Sequence, residues 1–155
     1  MMLKIKPDNI KIFMDHLTPA ERSWNMSRIH SKDTKPEVFV RSYLHRNGFR
    51  FRINNNNITG KPDIYLKKYN AVIFVHGCFW HRHKNCKRAT MPKSNIDYWD
   101  LKFKKNKKRD KLIMKELQIE GYRVFVIWEC QVNNKSVLYE LTNSIRNIEE
   151  AVHNE

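Results

Sequence analysis

The stretch AVIFVHGCFWHRHKNC, residues 71–86, decides how this chain folds. Val72 to Val75 is apolar throughout, and a short run without polar alternation reads as a strand buried on both faces. The stretch closes on Cys78 and Cys86 with His76, His81 and His83, and Phe79 and Trp80 stand between them. A second such run, YRVFVIWEC, occupies 122–130. The residues between the two runs predict a long helix over about 96–120, closed by Gly121. Strand, long helix, strand is a βαβ crossover, so the two strands should lie parallel. Ligands in such sheets gather beyond the carboxyl ends of the strands. Residues 76–86 and Cys130 both fall there.

Working outward, GKPDIYLKKYNAVIFV (60–75) reads as two strands joined by a tight turn near Tyr69-Asn70. FRFRI (49–53) alternates apolar and basic residues, as a strand with one buried face does. Thr34-Lys35-Pro36-Glu37 predicts a helix start with a Thr-x-x-Glu capping box, Val40 and Leu44 sharing the inward face and Gly48 ending it. A last amphipathic helix aligns Leu138, Leu141, Ile145 and Ile148. Residues 1–32 have no clean period and read as a basic arm with short helical pieces. The domain reading is an arm over 1–21 and a single domain over 22–155. The fold class is α/β, a mixed central sheet with helices on both sides.

The 155 residues suit one domain with a real core, and 41% are apolar. A net charge of +14 predicts a polyanionic partner. No apolar run approaches the roughly 18 residues of a membrane span. The opening MMLKIKPDNIKIFMDH has no secretion signal. Three cysteines, an odd number, argue against a disulfide framework and for metal binding. Cys78-x4-His83-x2-Cys86 supplies three ligands, and Cys130 adds a fourth from the neighbouring strand end. Four Cys or His ligands make a closed structural zinc site. His81 competes with His83 for the histidine position, and whichever does not ligate is free for chemistry.

Pro62-Asp63 opens a strand whose hairpin partner is the central strand, which places Asp63 beside the 76–81 segment. Many nucleases hold Mg²⁺ with Pro-Asp followed by an acid and a lysine on the next strand. Here that strand reads Val75-His76-Gly77, so any companion ligand is backbone, water or phosphate, an arrangement magnesium accepts. On the long helix, Trp99, Phe103, Asn106, Asp110, Ile113 and Leu117 share one face. Asp110 needs a partner on that face, either a local one or a histidine that it orients. Seven of the ten residues 102–111 are Lys or Arg, a face suited to tracking phosphates. Phe79 and Trp80 point opposite ways in extended chain and cannot both enter one core. With Trp99, they suit stacking on bases or wedging between them.

These residues resemble the very-short-patch repair (Vsr) endonucleases, bacterial enzymes that nick DNA beside T:G mismatches. The resemblance runs from about Arg22 to about Gln131. RSWNMSRIHSKDTKPE, GKPDIYL, VIFVHGCFWHRHKNC, the Asn-x3-Asp of the basic helix and GYRVFVIWEC carry it. It implies a restriction-endonuclease-like nuclease domain with Mg²⁺ held by Asp63 and the Val75 carbonyl. His81 would be the general base, oriented by Asp110. His76 would meet the scissile phosphate, and Glu37 would reach the metal's water shell. Cys78, His83, Cys86 and Cys130 would bind structural Zn²⁺. Phe79, Trp80 and Trp99 would form a wedge in the duplex, opposed by Met26, and Asn106 would contact DNA. The product would carry a 5′-phosphate. The implied partner is double-stranded DNA with a T:G mismatch, met by a monomer in the bacterial cytoplasm with no membrane involved. The chain departs from the family pattern by an extra residue between His83 and Cys86 and by Arg82 where histidine is common. Two other classes compete: a zinc-stabilised DNA-binding module without catalysis, and a restriction-type nuclease cutting matched duplex.

Overall fold

In the computed structural model, which describes residues 18, 20, 21, 24, 32–53 and 55–147, the sheet is built around one strand. Strand β2 (Ala71–His76) pairs antiparallel with β1 (Ile64–Leu66) and parallel with β3 (Arg123–Trp128). The hairpin turns through a short 3₁₀ segment, Lys67–Tyr69, and through Asn70 at φ 45°, a left-handed position that asparagine tolerates. Asn70 also ties the two central strands together. Its carbonyl accepts from Arg123 N–H at 2.9 Å, and its side chain donates to the Gly121 carbonyl at 2.7 Å.

Side chains of β2 alternate between two cores. Ala71 and Ile73 face helices α1 (Lys35–Arg46) and α3 (Lys135–Arg146), packing with Val40, Leu44, Leu138, Leu141 and Ile145. Val72 and Phe74 face the other way, toward Leu117 and Ile113 of α2 (Ile96–Ile119), with Ile58. Central β2 is therefore buried on both faces, as its unbroken apolar run requires. The crossover is the parallel βαβ unit expected, and helices cover both sides of the sheet. Among the described residues no helix is long and apolar enough to cross a membrane.

Four expectations need correction. FRFRI forms no strand; Arg52 makes an isolated bridge to Tyr65, with backbone bonds of 2.8 Å in each direction. The segment enters beside a three-residue β1, which leaves too little ladder to extend. Strand β3 is only half-buried apart from Ile127, because among the described residues it is a sheet edge. The capping box is altered: Thr34 Oγ1 donates to Glu37 Oε1 at 2.7 Å rather than capping the helix amides. Finally, residues 77–81 are not extended but turn back, with His81 N–H on the Gly77 carbonyl at 3.1 Å. Phe79 and Trp80 consequently join one cluster. Ile148 and Met26 lie outside the described residues.

Candidate metal centre and active site

The parallel register aligns His76 with Trp128. Two residues beyond each, past the end of the sheet, stand Cys78 and Cys130 in the turns that follow the two strands. The ligand atoms of Cys78, His83, Cys86 and Cys130 all lie within 4.8 Å of one another. His83 Nδ1 is 3.7 Å from Cys78 Sγ and 3.3 Å from Cys130 Sγ. Four ligands around one zinc stand about 3.5–3.8 Å apart, so the donor set fits by chemistry and by spacing. Burial pushes the Cys78 thiol up to about 12. A backbone amide at Arg88 draws the Cys86 thiol below its usual range.

Arg82 separates the two competing histidines. It adopts φ 54°, and this left-handed residue turns the chain so that its neighbours diverge. His83 faces the thiols, whereas His81 Nδ1 meets Asp110 Oδ2 at 2.5 Å. The His81 and Asp110 side chains are 20% and 14% exposed, shielded enough for the contact to hold against water. Asp110 Oδ1 also accepts from Arg109 at 3.3 Å, so the local partner and the histidine share the carboxylate. His76 stacks on His81 with ring centroids 3.9 Å apart and planes at 9°. Burial first, and then the neighbouring His81, lower the His76 imidazole to about 4, so it is neutral at pH 7. These three side chains could also be counted as metal ligands. However, the ring nitrogens of stacked imidazoles point within parallel planes, and one Asp110 oxygen is spent on His81. The geometry is that of a carboxylate-held histidine.

Asp63, His76, His81, Asp110, Glu37, Arg109 and Lys61 line one cavity of about 440 Å³. Asp63 Oδ2 accepts from Val75 N–H at 2.7 Å. Burial nevertheless raises its carboxyl to about 6, against the pull of that bond; Glu37 raises it further, and Arg41 and His81 oppose. A desolvated carboxylate beside a second acid suits a divalent cation that brings its own waters. Glu37 has little free capacity: Oε2 accepts from Asp33 N–H at 2.9 Å and from Arg41 at 2.8 Å, while Oε1 holds Thr34.

Phe79, Trp80 and Trp99, all half-buried, cluster with the buried Phe103, and Phe79 lies within 5.4 Å of each of the other three ring centroids. Arg82 lies over Phe103 at 4.7 Å and donates to the carbonyls of Ala89 and Thr90, pinning the far end of the loop. Asn106 is 8% exposed, and its amide donates to the Trp80 carbonyl at 3.0 Å. It faces the loop that carries Trp80. Sequence reasoning missed Arg41, although its i+4 spacing from Glu37 was a signal, and it missed Trp128, which stacks on His83.

The profile of the family "DNA mismatch endonuclease Vsr" matches residues 14–88. The chain is 48% identical over 139 residues to the "Type II nicking enzyme V.NmeAIP" of Neisseria meningitidis serogroup A, covering 89% of this chain and 99% of that relative. It is 43% identical to the "Type II nicking enzyme V.XorIIP" of Xanthomonas oryzae pv. oryzae, over 80% of this chain and 90% of that one. It is 38% identical to the "DNA mismatch endonuclease Vsr" of Escherichia coli K12, over 77% of this chain and 76% of that one. With relatives 38–48% identical over most of both chains, the chain belongs to the Vsr family of DNA endonucleases.

Proposed function

We propose that this endonuclease nicks one strand of duplex DNA beside a T:G mismatch, hydrolysing a phosphodiester to leave a 5′-phosphate. The observation that supports this reading best is the His81–Asp110 contact opening onto the same cavity as Asp63. His81, held at Nδ1 by Asp110, keeps its other ring nitrogen to take a proton from the attacking water. Neutral His76, stacked on it, offers a ring N–H to a phosphate oxygen. Asp63 and the Val75 carbonyl would hold Mg²⁺, and Glu37 would face its waters. When bound, that ion would neutralise phosphate charge and lower the pKa of the attacking water. Cys78, His83, Cys86 and Cys130 would hold structural Zn²⁺, which fixes the loop carrying His81 and the aromatics.

Phe79, Trp80 and Trp99 serve as the wedge, with Met26 opposing from the arm. We assign Asn106 to holding the Trp80 carbonyl rather than to touching DNA. Unstacking costs least at a mismatch, which favours this wedge over a nuclease of matched duplex. The enzyme would work as a monomer on DNA in the bacterial cytoplasm.

The test is an end-labelled duplex with one T:G mismatch and its T:A counterpart, each with and without Mg²⁺. The expected result is a Mg²⁺-dependent nick in the T strand of the mismatched duplex alone. Equal cutting of both duplexes would establish a restriction-type activity instead. Tight binding without any cutting would leave a DNA-binding module.

A further inference from the structure

We propose that Trp128 is a positioning residue that links the thiol-and-histidine metal centre to the His76–His81 pair. The proposal rests on the catalytic reading of that pair given above. Its indole stacks face to face on His83, with centroids 4.2 Å apart and planes at 8°. Its edge meets His76 at 5.4 Å and 75°. His76 in turn stacks on His81 at 3.9 Å, and His81 is held by Asp110. Four rings thus run without a break from the metal ligand to the proposed general base.

The sheet builds this row. Parallel pairing sets Trp128 directly beside His76, and Glu129 N–H bonds to the His76 carbonyl at 2.9 Å. His83 completes it because its Nδ1 turns toward Cys78 and Cys130, which leaves its ring face to the indole. The thiols of Cys78 and Cys130 thus fix the His83 ring, and the indole rests on its face.

The row matters because there is room behind it. An open cavity of about 610 Å³ is lined by His76, His81, Asp110 and Trp128, with Met114 and Val126. Asp110 restrains His81 through a single contact at Nδ1. Without the indole, the His76 ring can swing back into that space, and His81 loses the surface it rests on. A shift of about 1 Å in a proton-accepting nitrogen costs about 10²-fold in rate.

The experiment compares the zinc-loaded wild type with Trp128→Phe and Trp128→Leu. It measures zinc per chain, affinity for the T:G duplex, the single-turnover nicking rate at saturating enzyme, and the ¹⁵N-edited ring resonances of His76 and His81. Zinc content and affinity should hold in both variants. In Trp128→Leu the rate should fall about 10²-fold and both histidine rings should shift or broaden. Trp128→Phe, which keeps an aromatic face, should recover most of the rate and both ring positions. A leucine variant that nicks at the wild-type rate, or whose ring resonances do not move, overturns the proposal. Loss of zinc in the phenylalanine variant also overturns it, by making Trp128 part of the metal centre's framework. The ring resonances are read whether or not the wild type nicks mismatched DNA. Failure of the mismatch reading is therefore distinguishable from failure of the positioning role.

Discussion

Asp63→Asn should abolish nicking and, in Mg²⁺-free buffer, make the protein more stable. Asparagine keeps an oxygen to accept the 2.7 Å bond from Val75 N–H, so the backbone is undisturbed. What it removes is a charge that the site disfavours. The Asp63 carboxyl rises from 3.8 to about 6, chiefly through burial. At about 1.36 kcal/mol per pH unit, ionising it in the folded chain costs about 3 kcal/mol more than ionising it unfolded. Because the folded pKa is the higher one, the native state holds the proton more tightly. Wild-type stability from this group is full below about pH 4 and lost as pH rises through about 6. The neutral amide has no such loss. The stability difference, variant minus wild type, should be near its minimum at pH 4 and reach about 2–3 kcal/mol above pH 7. For a chain of this length that is a rise of about 5–10 °C in Tm.

Added Mg²⁺ should narrow the gap by stabilising the wild type alone. Thermal and urea denaturation of both proteins from pH 4 to 8, with zinc retained and with Mg²⁺ as the only variable, measures this. Zinc-site protonation is common to both chains and cancels in the difference. An Asn variant no more stable than wild type at pH 7.5 would refute the reasoning. It would mean that Val75 N–H and Arg41 fully carry the Asp63 charge.

Three further outcomes are expected. Cys130→Ser should lower zinc to well below one per chain, measured by atomic absorption, and should expose residues 77–86 to proteolysis, since a hydroxyl does not replace a thiolate on zinc. Gly60→Ala places a Cβ 2.2 Å from Ile113 Cγ2 at a residue with φ 74°. It should cost about 1–3 kcal/mol in urea denaturation and slow nicking, because the helix pushed aside carries Asp110. Asn106→Ala strands the Trp80 carbonyl and should cost about 1–2 kcal/mol. It should weaken binding to the mismatched duplex more than to the matched one in a titration, if the aromatics enter the mismatch.

Much of this architecture is legible in residue order because burial leaves a local trace. The unbroken run Val72–Val75 announces a strand covered on both faces, and the helical stripe from Trp99 to Leu117 announces the crossover helix. Composition and spacing also supply a donor set of Cys78, Cys86, Cys130 and one histidine, His81 or His83. Where the trace is weak, the reading slips. FRFRI alternates like a strand, but alternation is satisfied equally by an extended segment with a single bridge. The apolar run of β3 reads as doubly buried, although an edge position leaves it half-exposed.

Which side chain meets which is a different kind of information. Spacing alone left His81 and His83 as rivals; the left-handed Arg82 between them sends one to Asp110 and the other to the thiols. The family resemblance made Asn106 an expected DNA contact, whereas the helix face and the turned 77–81 segment bring it to the Trp80 carbonyl. Residue order does not single out Trp128; the parallel register sets it beside His76. Periodicity records how deeply a residue is buried, and so sequence determines the elements and the inventory of reactive groups. Contacts between distant groups depend on register, turn dihedrals and the meeting of a sheet edge with a helix, and those are decided only when the whole chain packs.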